Sequence, residues 1–198
     1  MRNIRPIHAA ALLALVAASG CATLQQFAAL RSVDFSLDGV ADVRLAGIDL
    51  ERIRSYEDLS VLDVGRLALA VRQGSLPLQL QVRVLAENPV GNPSARLTRM
   101  DWTLLLQDRE TLSGALTEET VLLSGEPRVV PIDVSLNLID FFEGNARDLV
   151  ELALSLAGQG GAPKQIAVRA SPVISTPLGP IRYPQPITIV DRQVGGDR

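Results

Sequence analysis

Single alternation of apolar and polar residues recurs along this chain, and it restricts most of the chain to sheet. After Pro77, the residues Leu78, Leu80, Val82, Val84 and Ala86 interleave with Gln79, Gln81 and Arg83. Successive side chains of a strand point to opposite faces, so this spacing sets one face in a core and the other in water. The same period returns in Met100, Trp102, Leu104 and Leu106 against Asp101, Thr103 and Gln107. It returns again in Val130, Ile132, Val134, Leu136 and Leu138 against Asp133, Ser135 and Asn137. Val33, Phe35 and Leu37 alternate with Asp34, Ser36 and Asp38, and Val43 and Leu45 continue the series. Ile48 and Leu50 fall on the other phase, and Gly47 at the switch predicts a bulge. A weaker strand or pair covers 111–123. Ile166, Val168 and Ala170 follow, and then 181–190, where Pro184 and Pro186 predict an edge or irregular strand. Seven or eight strands joined by short turns predict an all-β sandwich.

Two helical segments interrupt this rhythm. Residues 58–71 space Leu59, Leu62 and Leu69 as a helix does, with Asp58 as the cap and a stop near Gly74. Phe142, Ala146, Leu149, Ala153 and Leu156 trace a cleaner stripe that ends before Gly158. Its polar face carries Glu143, Asp148 and Glu151 with only Arg147, the wrong charge for an anionic bilayer. The stripe is therefore expected to cover one end or face of the core.

The first residues read as an address. Arg2 and Arg5 precede an almost purely Ala/Leu/Val stretch over 9–18, and Ala18-Ser19-Gly20 leads directly into Cys21, the only cysteine. The stretch has the flanks of a secretory signal and is too short for a permanent membrane span. Its end resembles the lipobox of bacterial lipoproteins, where removal of the signal leaves an acylated cysteine as the first residue. The resemblance implies lipid attachment at Cys21. The expected organisation is a signal peptide at 1–20, a lipidated tether at 21–31, one domain over 32–192 and a flexible tail at 193–198. Ala22, where aspartate signals inner-membrane retention in many Gram-negative bacteria, implies the outer membrane, facing the periplasm.

Loss of residues 1–20 would also remove chemistry. The single histidine, His8, leaves with them, and the one thiol is consumed by lipid. Ser-His-Asp triads, Cys-His dyads and common zinc sites then lack their parts, so no catalytic residue, cofactor or metal site is expected and the chain is read as no enzyme. With one cysteine there is no internal disulfide. The formal charge moves from −3 to −5 with 17 basic and 22 acidic residues, which gives no grip on nucleic acid.

The remaining carboxylates do not form a site. Asp34, Asp38 and Asp42 recur every four residues, which on a strand sets neighbours about 13 Å apart on a wet face. Calcium loops need oxygens that converge from a tight turn. Glu118-Glu119 and Asp140 with Glu143 are read as loop and cap carboxylates. Trp102 is expected inward in the sandwich, with a ligand platform as the alternative. Gly158-Gln159-Gly160-Gly161 follows a helix instead of opening one, so anion binding at a helix start does not apply.

Leu76-Pro77-Leu78 before a strand, Ala86-Glu87-Asn88-Pro89 at its end, the strand over 99–106 with Trp102, and Leu112-Ser113-Gly114 together carry a resemblance. So do Ser175-Thr176-Pro177-Leu178-Gly179-Pro180-Ile181 and the early run over 43–50. With these residues the chain resembles the type 2 late embryogenesis abundant family, also called the water stress and hypersensitive response (WHy) domain, in its bacterial lipoprotein branch. Val90 stands where the family usually has asparagine. The resemblance implies a fibronectin type III-like sandwich without catalytic residues and a role in desiccation or stress protection. The alternative expectation is a lipid or partner protein held in an inter-sheet groove at the membrane surface.

Overall fold

The computed structural model describes residues 33–143, 145–159, 165–176, 179–183 and 185–190. The signal expected at 1–20, Cys21 with the tether expected at 21–31, and the tail expected at 193–198 lie outside these residues. One sheet holds β1 (Asp34–Leu45), β2 (Ile48–Asp49), β3 (Pro77–Glu87) and β7 (Arg128–Asn137), in the order β2-β1-β3-β7. The second holds β4 (Ala95–Leu106), β5 (Arg109–Leu116), β6 (Thr120–Leu122), β8 (Ile166–Thr176), β9 (Gly179–Arg182) and β10 (Ile187–Val190). Its order is β10-β8-β4-β5, with β6 paired to β4 and β9 to β8. All pairs are antiparallel. The domain is an all-β sandwich with two helices.

The alternation decides which side chains meet between the sheets. Leu78, Leu80, Val82, Val84 and Ala86 of β3 are buried, as are Val130, Ile132, Val134 and Leu136 of β7. Met100, Trp102, Leu104 and Leu106 of β4 are buried with Val168, Ala170 and Ile174 of β8 and join the same contiguous core.

The described residues hold ten strands, above the expected seven or eight. The weak region over 111–123 divides around Thr117 to Glu119 into β5 and β6, and the last region divides into β9 and β10. β10 is an edge strand, which suits the prolines before it. Gly47 marks no bulge. Ala46 (φ 49°) and Gly47 (φ 78°) form a two-residue hairpin turn with Leu45 opposite Ile48, and that turn moves the apolar phase. The bulges of β1 lie earlier, between Leu37 and Gly39 and between Ala41 and Arg44, with Asp42 at φ 54°.

Strand register defines the two ends of the sandwich. Asp34 pairs with Glu87 and Leu45 with Leu78, so β1 begins where β3 finishes. The loop over 88–94 and the turn over 123–127 belong to that same end, because Leu122 pairs with Ala95 and Arg128 with Ala86. The opposite end carries the β1–β2 turn and the helices α1 (Val61–Arg72) and α2 (Ala146–Leu156). α2 starts at an Asn145/Asp148 capping box and buries Leu149, Val150, Leu152, Ala153, Leu154 and Leu156. α1 corrects the expected start and face. Ser60 is its cap, accepting from the Asp63 amide at 3.1 Å, whereas Asp58 accepts from Arg54 and Ser55 in the turn before it. Leu67 faces the core, while Leu62 is 81% exposed and Val61 89%.

Candidate functional site

Asn88 organises the loop end. It is the one buried polar side chain among the described residues. It sits on the inward phase that runs from Leu78 through Ala86, where an amide must find partners or destabilise the core. Its Nδ2 donates to the carbonyl oxygens of Leu122 at 2.9 Å and Pro93 at 3.2 Å, and its Oδ1 accepts from Asn92. Its own carbonyl accepts from the Gly125 amide at 2.7 Å. Gly91 donates to the Ser124 hydroxyl oxygen at 2.9 Å, and that hydroxyl donates to Pro89.

These bonds stitch the 88–94 loop to the 123–127 turn. Val90 rests over Gly125, where an added Cβ would come within 2.9 Å of its Cγ2. The stitched loops hold Val90 90% exposed and Leu123 47% exposed. In the sequence, Asn88-Pro89 marks the end of a strand and carries part of the family resemblance. Continuation of the even-numbered inward phase to position 88 was the signal for the buried amide.

At the helical end, Arg147 donates to Glu57 and to Glu151, and its guanidinium lies 5.2 Å from the centre of the Tyr56 ring. A hollow of 260 Å³ is lined by Arg54, Tyr56, Glu57, Glu151, Leu154 and Gln159. Backbone hydrogen bonding at Glu57, then the Arg147 contact, holds its carboxyl below the usual range. The two carboxylates hold Arg147 above its usual value. A carboxylate kept ionised and paired this way is a poor proton acceptor, so the cluster is a latch between the 56–58 turn and α2.

The outer sheet faces are polar. On one, a 620 Å³ concavity is lined by residues that include Arg99, Asp101, Thr103, Ser113 and Arg169. Asp101 accepts from Arg99 and Arg182, each at 2.7 Å. Burial works to raise the Asp101 carboxyl, and the two guanidiniums outweigh it and hold the group below the usual range. Arg169 pairs with Glu110. The other sheet has a 430 Å³ hollow at Asp42, Arg44, Gln79, Gln81, Asp133 and Ser135.

The structure scatters the acids that the sequence singled out. Asp38 pairs with Arg83 at 2.8 Å, Glu119 with Arg96 at 2.8 Å, and Asp140 accepts from Asn137. No group of three His, Cys, Asp or Glu residues converges among the described residues. Trp102 points inward, and its ring covers Gly114. Cys21 lies outside the described residues.

No protein-family model matches the chain, and no curated protein matches it. Among solved structures it is similar to a solution structure of a protein described as late embryogenesis abundant, at 11% identity. That match covers 97% of this chain and 90% of the other, with a TM-score of 0.36. A protein from Archaeoglobus fulgidus matches at 10% identity over 80% of this chain and 100% of its own, with a TM-score of 0.32. A structural-genomics target matches at 8% identity over 83% and 91%, with a TM-score of 0.39. Overlaps this loose leave the architecture to rest on strand order and burial.

Proposed function

We propose that this chain is a non-catalytic lipoprotein of the bacterial envelope. It is held by lipid on Cys21 in the outer membrane, and it protects the envelope in desiccation or related stress as a type 2 late embryogenesis abundant protein. The observation that carries the reading is the run from Arg2 and Arg5 through the apolar 9–18 stretch to Ala18-Ser19-Gly20-Cys21. One acyl chain binds a bilayer only marginally, whereas the two or three chains of a bacterial lipoprotein hold stably. Two further points support a protective role over catalysis. After loss of the signal the chain has no histidine and no free thiol. Several charged groups of the described surface are tied in ion pairs, such as Arg147–Glu57 and Arg182–Asp101. The alternative of an inter-sheet groove has the core against it, since buried side chains of both sheets fill the space between them.

Fractionation of cells expressing the Cys21→Ser variant tests the anchor: the variant is expected in the soluble fraction with an unchanged melting temperature. Its full recovery with the membranes overturns the anchor. The wild-type protein is expected to preserve a drying-sensitive client enzyme at near-stoichiometric ratios and to turn over no broad hydrolase substrate. Equal client loss with and without the protein overturns the protective role.

A further inference from the structure

We propose that the loop end is a bilayer-contacting tip, with Val90 and Leu123 seated among the lipid headgroups of the membrane that holds the chain. This rests on the lipid attachment at Cys21 proposed above. Val90 and Leu123 are aliphatic side chains turned outward at one end of the sandwich; α1 turns Val61, Leu62 and Leu69 outward at the other, and the point where the chain enters the domain selects the loop end. Their two loops are joined through Asn88, Ser124 and Gly125, so the pair is presented on a fixed support.

The chain also arrives at this end. Val33 precedes β1, and the first residue of β1, Asp34, pairs with Glu87 next to Asn88. Eleven residues lie between Cys21 and Val33. Fully extended, that segment spans at most about 40 Å. A domain tethered so closely meets the bilayer at high effective concentration. Two aliphatic side chains then suffice to orient it, although they would not recruit a free protein.

Neighbouring charge selects the lipid. Glu87 and Glu126 are exposed beside the tip against Arg128, a balance that disfavours anionic headgroups and fits zwitterionic phosphatidylethanolamine. A second copy of the chain is the poorer occupant. Two side chains fall far below the roughly 800 Å² per partner that a stable dimer buries.

The test uses the lipidated protein in vesicles of phosphatidylethanolamine and phosphatidylcholine, with an environment-sensitive dye on Val90→Cys or, at the helical end, on Leu69→Cys. Acylation consumes Cys21, so the dye reports the introduced thiol alone. The expected result is blue-shifted emission at 90 and quenching by bromine-labelled lipids severalfold stronger than at 69. Adding Leu123→Asp should lower the quenching at 90 severalfold and leave the melting temperature unchanged. Equal quenching at the two positions, or a dye at 90 that reports water while the protein floats with the vesicles, overturns the tip and leaves the anchor standing. A labelled protein, at either position, that stays at the bottom of the flotation gradient overturns the anchor, and the tip falls with it.

Discussion

Trp102 and Gly114 are opposite each other across β4 and β5, and the indole occupies the space that a side chain at 114 would need. A Cβ built at Gly114 would lie 2.5 Å from Cζ2 of the ring. Trp102→Ala should cost about 3–5 kcal/mol through lost burial and the cavity left behind. Thr103 points to the other face, where its hydroxyl meets that of Ser113 at 2.8 Å. Its replacement by alanine should cost no more than about 1 kcal/mol. Equal melting losses for the two variants would reverse the register assigned to β4. Gly114→Ala should cost about 1–3 kcal/mol by overpacking and close to nothing once Trp102 is also alanine. A double-mutant cycle measures this, and additive losses would place the ring elsewhere. Asn88→Ala strips a partner from the buried Leu122 carbonyl oxygen and should cost about 1–3 kcal/mol, read by denaturant unfolding. Asp101 supplies the pH dependence. Its folded carboxyl is held below the ordinary aspartate value by Arg99 and Arg182 against the opposing effect of burial. Its stabilisation is thus complete above that ordinary value and is lost as pH falls through the lower, folded one. Asp101→Asn should lower the melting temperature slightly at neutral pH, with the gap to wild type closing in acid. A gap that widens in acid would contradict the assignment.

Strands that bury one face were legible in the sequence where their period is unambiguous: β3, β7 and β4 from Met100 onward turn their alternating apolar residues inward, while Ala95 and Leu97 of β4 lie on the other phase across a register shift. α1 was not legible in the same way, because it is apolar on two sides. Leu62 and Leu69 lie seven residues apart and so do Val64 and Val71, and periodicity alone cannot choose between the two stripes. Tertiary contact chooses Leu67 with the half-buried Val64 and Val71, and leaves Leu62 and Leu69 in water. Leu67→Ala should therefore cost about 2–5 kcal/mol, whereas Leu62→Ala should move the melting temperature little. A larger loss at 62 than at 67 would turn the helix over. The turn at Gly47 was misread because a bulge and a two-residue hairpin both shift the apolar phase. Only pairing of Leu45 with Ile48 separates them. Among site residues, Cys21 came from a local motif that needs no fold. The loop end came from the structure, because its members, Asn88 and Leu122 to Gly125, are distant in sequence.

At the scale of the whole molecule, the sandwich places the arriving chain and the exposed Val90 at one end and the two helices at the other. A domain tethered by its first strand would thus present its loop end to the bilayer and its helical end to the periplasm. Stability in this arrangement rests on the packed interior, with no contribution assigned to metal. A chelator should leave the melting temperature unchanged, and a fall of several degrees would reveal ligands that converge in the native state. The central claim is the covalent anchor, from which location, orientation and the proposed role follow. The mass of the N-terminal peptide of protein extracted from native membranes tests it most directly. The account predicts a peptide that begins at Cys21 and carries two or three acyl chains. A peptide that begins at Met1, or an unmodified Cys21, would contradict it.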